Sequence, residues 1–379
     1  MKRSGSVFAA LVLLAAVIGS AATALRGSLS NGQVVHLSAE EGQEETVSAL
    51  EFAAAMKIGW NLGNTFDAPG GETAWGNPVT TNGLLLLVKE LGFETIRIPI
   101  SWGKHVSAAP DYLIDADFLG RVDTVVNQAL DAGLYVIINS HHDNEIYMPT
   151  PENAEQGKGY LTAIWTQIAT HFADRDHRLV FETMNEPRVT GVSYEWNVDT
   201  RSPDCMAAVK VVNELNQASL DAIRAAGGEN AERFVIISAY AGSPNSALLG
   251  AFQLPKDSAA DRLMVSLHAY TPYSFALDKN SGDSVFGKSD ENEIKKLIQN
   301  VSYRYVRKGI PVIFDEMGCL DKNNPEDRYA WCVAFISAAK ENGIPCIWWD
   351  NGCVSGDGEK FGLINRRTLS VYEQSRSVL

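Results

Sequence analysis

Apolar and β-branched residues cluster in short runs that recur along most of the chain. Eight such runs occur, at residues 58–63, 95–100, 134–140, 179–184, 234–240, 263–270, 311–316 and 345–350. Most of them are apolar nearly throughout, which is typical of parallel strands that are covered on both faces. The pattern therefore predicts eight buried β-strands.

The segments between these runs have the spacing of amphipathic helices. In the segment 117–133, one apolar stripe is formed by Phe118, Val122, Val125, Val126, Ala129 and Leu130. Gly133 follows this stripe and can end the helix. We expect Asn82, Asp117 and Asp290 to cap the starts of three helices. We also expect a last helix near residues 369–377.

Strands that alternate with helices predict an α/β protein. Eight strands, with a helix after each of them, match a (β/α)8 TIM barrel. A doubly wound open sheet is the alternative, but no G-x-G-x-x-G turn follows the first predicted strand. We therefore predict one (β/α)8 barrel domain over residues 48–379.

The amino-terminal segment differs from the rest of the chain. Lys2 and Arg3 precede an apolar run at 7–18 that is short for a membrane span, and small residues at 22–24 offer a cleavage site. We expect residues 1–24 to be a cleaved signal peptide, with an uncleaved membrane anchor as the alternative. Residues 25–47 are polar and predict a leader or linker. The mature protein is therefore expected to be secreted, extracellular and free of the membrane.

Composition limits the possible partners. The chain has 46 Asp and Glu against 32 Lys and Arg, so it has no basic footprint for nucleic acid, and we expect none as a partner. Its five cysteines are scattered and none is in a C-x-x-C pair, which disfavours a disulfide framework and a cysteine zinc site.

Reactive residue types collect at the ends of the predicted strands. Barrel enzymes place their sites at the C-terminal ends of the strands. The residues found there, or on a strand close to that end, are Arg97, His141, His142, Asn185, Glu186, His268, Tyr270, Glu316, Trp348 and Trp349. Such a set indicates an active site.

Glu186 and Glu316 are the two carboxylates of most interest. They end the fourth and seventh predicted strands, which lie on opposite sides of an eight-stranded barrel and let side chains converge across its mouth. Hydrolysis of an acetal needs one carboxyl group to protonate the leaving oxygen and a second to stabilise or capture the oxocarbenium-like centre. The pair therefore favours glycoside hydrolysis.

Each residue also has an ordinary explanation when it is taken alone. Asp315 is a competing carboxylate, and strand alternation should direct its side chain and that of Glu316 to different sides. Arg97 could be a paired core charge. A zinc hydrolase using His141, His142 and Asp143 is disfavoured, because adjacent strand residues point apart and chelate poorly.

Seven segments together resemble glycoside hydrolase family 5. They are GWNLGNTFDA, TIRIPISW, VIINSHHDN, FETMNEPR, SLHAY, VIFDEMG and WWDNG, in this order over residues 48–375. The first of them, with ETAWGNPVTT and HHDN, is similar to the bacterial branch of endoglucanases that act on β-1,4-glucans. The segment after NEPR departs from the pattern expected there, which affects the expected substrate preference.

The resemblance implies roles for the residues around the reacting bond. Glu186 would be the general acid/base and Glu316 the nucleophile. Arg97 would keep the nucleophile ionised, Tyr270 would hydrogen-bond it, and His268 would approach the acid/base.

The remaining roles implied by the resemblance concern substrate binding. Asn185 would bind the sugar 2-hydroxyl, His141 another hydroxyl, and His142 would line the pocket. Trp349, rather than Trp348, would stack on the sugar ring. Asn61 and Trp75 are further candidate contacts, and the chemistry requires neither a metal nor a cofactor.

We therefore expect a monomeric, secreted endo-β-1,4-glucanase that acts on polysaccharide by a retaining double displacement. A xyloglucanase, or a mannan or xylan hydrolase on the same fold, is the first alternative. A catalytically inactive sugar-binding barrel is the alternative that is not an enzyme.

Overall fold

The computed structural model describes residues 47–379. The predicted signal peptide (1–24) and all but the last residue of the predicted linker (25–47) lie outside the described residues. The barrel is built from eight parallel strands: β1 Ile58–Asn61, β2 Thr95–Ile98, β3 Tyr135–Asn139, β4 Leu179–Glu182, β5 Val235–Ser238, β6 Leu263–Ala269, β7 Val312–Met317 and β8 Cys346–Trp348. β1 pairs with both β2 and β8, so the sheet is closed. The prediction of a TIM barrel is confirmed, and the open sheet is excluded.

The α-helices of the described chain are α1 Ala49–Met56, α2 Asn82–Glu90, α3 Ala116–Asp131, α4 Asn144–Tyr147, α5 Ala154–His171, α6 Pro203–Ala225, α7 Pro244–Ala247, α8 Tyr273–Ala276, α9 Lys288–Arg304 and α10 Pro325–Glu341. The helix expected between β5 and β6 is reduced to the single turn α7. No helix within 47–379 combines the length and the apolar composition needed to cross a bilayer.

The predicted helix caps were wrong by one to three positions. Thr81 and Asp115, rather than Asn82 and Asp117, cap α2 and α3, because their side chains reach the free N–H groups of the first turn. Asp290 lies inside α9 and accepts a hydrogen bond from the backbone N–H of Gly287.

The predicted last helix near 369–377 is also wrong. Ser370–Val371 (β10) instead pairs with Ile364–Asn365 (β9) in a two-stranded antiparallel sheet, followed by a 3₁₀ turn at Glu373–Ser375. Leu369 has a φ of 50°, a left-handed conformation that reverses the chain between the two strands.

The inside of the barrel is apolar at its N-terminal end. Helix α1 closes this end, and its residues Ala49, Phe52, Ala53 and Met56 pack on a layer formed by Ile137, Val180, Ile236, Met264, Ile313 and Ile347. A side chain at Gly59 would clash with Ile347 at 2.5 Å, so the narrow barrel requires glycine there.

Two residues further along the strands, the interior becomes polar. The buried side chains at this level and just above it are Asn61, Arg97, Asn139, Glu182, Ser266, His268 and Asp315. On β3, β4, β6 and β7 the same inward face therefore contributes an apolar residue to the base and a polar residue to the C-terminal end.

Strand β7 contains one extra residue relative to both of its neighbours. Ser266 and His268 of β6 align with Ile313 and Glu316, so two residues of β7 lie between the pairs where β6 has one. The register with β8 shifts in the same region, between Phe314 and Met317. Such a bulge breaks the alternation of side chains.

We predict that Phe52→Ala destabilises the barrel by about 3–5 kcal/mol, the usual cost of removing a buried phenylalanine ring. Phe52 is 2% exposed, and its ring stacks on that of Phe234 at 3.8 Å. The measurement is the free energy of unfolding from chemical denaturation. Tyr303→Ala on α9, whose side chain is 71% exposed, is the control and should change it by less than about 0.5 kcal/mol. A loss in the free energy of unfolding for Phe52→Ala that is no larger than the loss for Tyr303→Ala would contradict the prediction.

Candidate active site

Arg97 is the centre of the polar layer. Its fully buried guanidinium donates five hydrogen bonds, which is the number of its N–H groups. Two go to Glu182, at 2.6 and 2.8 Å, and one goes to Asn61 at 2.9 Å. The other two go to Glu316 and to Asn185, each at 2.7 Å. Arg97 is therefore both a paired charge in the core and a neighbour of Glu316.

Glu316 is held by donors on both of its carboxylate oxygens. Oε1 accepts the bond from Arg97, and Oε2 accepts a hydrogen bond from the Tyr270 hydroxyl at 3.0 Å. The His268 imidazole lies 3.5 Å from Oε2. These contacts fix the plane of a carboxylate that is only 5% exposed.

Glu186 lies just beyond β4 and, like Glu316, lies beside Nδ1 of His268. Its Oε1 is 2.8 Å from His268 Nδ1, and its Oε2 is 3.4 Å from Arg188. One oxygen of Glu186 and one of Glu316 lie within 4.8 Å of each other. Burial raises the pKa of Glu186, but the hydrogen bond and charge of His268, with the charge of Arg188, outweigh it and lower the pKa.

His268 is enclosed by carboxylates. Burial alone would lower its pKa, but the charge of Glu316, the hydrogen bond and charge of Glu186 and the charge of Asp315 raise it to about 9. The imidazole is therefore protonated at neutral pH in the substrate-free site. Gly242, with a φ of 60°, packs here, and a side chain on it would lie 3.1 Å from the His268 ring and 3.3 Å from Glu186.

His141 and His142 both border the cleft, which corrects the expectation that they point apart. Their ring centroids are 4.4 Å apart, because both residues lie beyond Asn139, the last residue of β3, where strand alternation no longer applies. Asn139 orients His141: its Oδ1 accepts from a backbone N–H, so its Nδ2 donates to His141 Nδ1. The Nε2–H of His141 remains as a hydrogen-bond donor. Burial lowers the pKa of the His141 imidazole well below its usual value.

Trp349 and Trp348 have different environments. Trp349 faces His141, with parallel rings at a centroid distance of 5.8 Å. Trp348 points the other way, donates its Nε1–H to the carbonyl of Phe361 and packs against Trp331 of α10. Trp75 is 47% exposed and lies 5.7 Å from His142 at the rim of the cleft.

The two histidines of the disfavoured zinc site lie near a different carboxylate from the one considered above. Asp67, rather than Asp143, brings a carboxylate oxygen within 4.8 Å of the imidazoles of His141 and His142. The Asp67 oxygens accept hydrogen bonds from the backbone N–H groups of Asn64 and Thr65, which stabilise a turn. Asp143 instead binds backbone N–H groups of the loop after β2.

Sequence reasoning missed Glu182, Asn139 and Arg188, and it considered Asp315 only as a carboxylate that competes with Glu316. Glu182 pairs with Arg97, Asn139 orients His141, Arg188 contacts Glu186, and Asp315 faces His268. For Glu182 a signal was present, since a carboxylate inside an apolar strand needs a buried cation, and Arg97 is a cation inside another. The contacts of Asn139, Arg188 and Asp315 depend on the geometry of the loops and on the bulge in β7.

The chain matches the family model described as Cellulase (glycosyl hydrolase family 5) over residues 61–355. It is 42% identical over 343 residues to endoglucanase A of Ruminococcus albus, covering 88% of this chain and 92% of that protein. It is also 41% identical to the cellulase/esterase CelE of Acetivibrio thermocellus over 98% of this chain, but it spans only 46% of that relative's length.

A solved structure has the same architecture. A variant of the family 5 lichenase from Caldicellulosiruptor sp. F32, in complex with cellotetraose, superposes with a TM-score of 0.84 at 40% identity, covering 87% of this chain and 94% of that one. The family model, the identities and the shared barrel agree with one another. The chain is therefore a glycoside hydrolase and belongs to glycosyl hydrolase family 5.

Proposed function

We propose that this protein is a secreted endo-β-1,4-glucanase that cleaves internal bonds of β-glucans with retention of anomeric configuration. The observation that carries the proposal is the short separation of Glu186 and Glu316, whose nearest oxygens lie within 4.8 Å. Retaining glycosidases hold their two carboxyl groups about 5–5.5 Å apart, whereas inverting enzymes leave about 6.5–9.5 Å for a water molecule. The secretion rests on the predicted signal peptide at 1–24.

In the first step, Glu316 attacks the anomeric carbon while Glu186 gives a proton to the leaving glycosidic oxygen. The C–O bond breaks, and the sugar becomes an ester of Glu316. Arg97 and Tyr270 hold the nucleophile in place, each through one of its oxygens. Asn185 is fixed by Arg97 and is offered to the sugar 2-hydroxyl, a contact that strengthens in the transition state.

In the second step, Glu186 acts as a base. Its carboxylate takes a proton from a water molecule, the water oxygen attacks the anomeric carbon, and Glu316 leaves as a carboxylate. In the substrate-free site, the proton shared by Glu186 and His268 resides on His268, whose Nδ1 is 2.8 Å from Glu186 Oε1. The acid/base is therefore a Glu–His pair rather than an isolated carboxyl group.

The substrate class rests on the cleft and on the relatives. Trp349 and His141 form one wall, where we propose that a sugar ring stacks and binds a hydroxyl. On the Glu186 side, Arg188 lies 3.8 Å over the ring of Trp196, whose side chain is 49% exposed. Flat apolar faces of this kind suit pyranose rings. The names of the relatives, endoglucanase and lichenase, support β-glucan as the backbone.

The rival functions have less support. An inactive sugar-binding barrel would not need both carboxylates, a buried arginine and a charged histidine at one mouth. A metal hydrolase using His141, His142 and Asp143 conflicts with the position of Asp143, whose carboxylate binds backbone N–H groups of the loop after β2. Such an enzyme would lose its activity when the metal is chelated. Activity that survives exhaustive chelation would reject it. Xyloglucan, mannan and xylan remain as alternative backbones.

We predict that Glu316→Ala lowers kcat on barley β-glucan by about 10⁴-fold or more, because the covalent step loses its nucleophile. In the wild type, NMR of the first product should show the β-anomer. Glu90→Ala, which removes an exposed carboxylate at the end of α2, is the control and should stay within about threefold. Near wild-type turnover of Glu316→Ala, or an α-anomer as first product, would contradict the assignment.

We predict that Glu186→Gln lowers kcat/KM on natural glucans by about 10²–10⁴-fold, the usual contribution of a general acid. On 2,4-dinitrophenyl β-cellobioside the loss in kcat/KM should be small, because that leaving group needs no proton. The comparison of the two substrates is internal to one protein preparation. Equal losses on both would refute the role of Glu186 as the acid.

A substrate panel separates the possible backbones. We predict the highest initial rates on carboxymethylcellulose or mixed-linkage β-glucan, with a rapid fall in viscosity that marks internal cleavage. Xyloglucan, glucomannan and xylan complete the panel. A rate on xylan or mannan far above the rates on the glucans would overturn the choice of backbone while leaving the mechanism intact.

A further inference from the structure

Asp315 is a buried carboxylate to which the double displacement gives no role. Its side chain is fully buried at the polar level of the barrel interior. Oδ1 accepts a hydrogen bond from the backbone N–H of Leu267 at 3.1 Å and lies 3.6 Å from His268 Nε2. Within residues 47–379, neither Asp315 Oδ2 nor His268 Nε2 has a hydrogen-bond partner.

The two nitrogens of His268 thus face different carboxylates. Nδ1 is 2.8 Å from Glu186 and 3.5 Å from Glu316, whereas Nε2 is 3.6 Å from Asp315 Oδ1. The bulge in β7 is the cause, because Asp315 keeps the inward direction of Ile313 while the extra residue brings Glu316 to the same imidazole. Asp315, His268 and Glu186 therefore form a line that leads from the interior to the cleft.

A carboxylate buried beside an imidazole nitrogen decides which nitrogen carries the proton. An ionised Asp315 is an acceptor only, so it favours a proton on the Nε2 that faces it. An uncompensated buried carboxylate would cost several kcal/mol, and the imidazolium is the nearby cation that compensates it. The line therefore has the order carboxylate, imidazole, acid/base, in which the outer carboxylate orients the imidazole.

We propose that Asp315 is a positioning residue that keeps a proton on His268 Nε2, so that Nδ1 is the atom that passes a proton to Glu186 and takes it back. The proposal deepens the proposed function and rests on it. In the first step the Nδ1 proton moves to Glu186 Oε1, and Glu186 passes it to the glycosidic oxygen. His268 is left neutral with its Nε2–H directed at Asp315.

The protons balance over the cycle. In the second step Glu186 takes a proton from the attacking water, and that proton returns to His268 Nδ1. One proton leaves the pair with the aglycone and one re-enters from water, so each turnover restores the imidazolium. No oxidant, metal or further acid is needed.

The effect of Asp315 on His268 depends on pH, because only the ionised carboxylate holds the proton. Burial and the charge of Glu182 raise the pKa of Asp315 to about 7, against the opposing charges of His268 and Arg97. Above that pH the ionised Asp315 holds the proton on His268, and the acid step remains possible. The other ionisable or charged groups around this line are Arg97, His141, His142, Glu182, Arg188, Tyr270, Glu316 and Glu359.

The test is the pH profile of kcat/KM on barley β-glucan for the wild type and Asp315→Asn, which keeps the shape and removes the charge. Without the charge, the Glu186–His268 pair loses its proton more easily. The alkaline limb should therefore move to lower pH by about 1–3 units, the usual effect of one nearby charge. Asp321→Asn, a carboxylate in the loop after β7, is the matched control and should leave the limb in place.

A second substrate separates proton delivery from structural damage. On 2,4-dinitrophenyl β-cellobioside, which needs no acid, the kcat/KM profiles of Asp315→Asn and the wild type should coincide. An unmoved alkaline limb on β-glucan would overturn the proposal. So would an equal, pH-independent loss on both substrates, because it would mark a purely structural role.

A measurement on the wild type does not depend on how the variant folds. In wild-type protein labelled with ¹⁵N-histidine, neutral His268 should carry its proton on Nε2. The Nδ1–H tautomer in the wild type would refute the proposal. The spectrum requires no activity, so a protein inactive on every glucan would refute the proposed function without touching the pairing of Asp315 with His268.

Discussion

The ion pair between Arg97 and Glu182 is the contact on which the rest of the site depends. Both side chains are fully buried, and two parallel bonds fix the plane of the guanidinium. A buried ion pair adds little to stability compared with apolar packing, so its effect here is on position. With Glu182 engaging one edge, the remaining N–H groups of Arg97 can reach only Asn61, Glu316 and Asn185. The nucleophile and the sugar-binding amide are thereby set by one rigid cation.

The barrel supports this cation by dividing its interior into two levels. The lower level is apolar and is closed by α1, so apolar packing alone holds the strands together at this end. The upper level can then hold several charges because its groups compensate one another. Arg97 and protonated His268 lie among Glu182, Glu186, Asp315 and Glu316. Removal of water strengthens these interactions and makes their arrangement specific.

His268 links the two carboxylates of the reaction to the interior. A conventional general acid is kept protonated by an apolar pocket, which raises its pKa. Here the pKa of Glu186 is lowered and that of His268 is raised, so the proton rests on the imidazole. The pair, rather than either residue, is the titrating unit. The bulge in β7 makes this possible, because it turns two consecutive carboxylates towards one ring.

The sequence by itself determined the eight strands, the barrel and nine of the side chains that meet at its mouth, because apolar runs and strand ends are local patterns. It also distinguished Trp349 from Trp348 through the family resemblance. Only the tertiary structure decided the partner of Arg97, which lies 85 positions away in Glu182. It also decided that Asp315 and Glu316 both lie beside the imidazole of His268, that α1 closes the base of the barrel and that the strands β9 and β10 replace the predicted last helix. These features depend on register, on bulges and on contacts between distant segments, whose energies no local pattern of residues encodes.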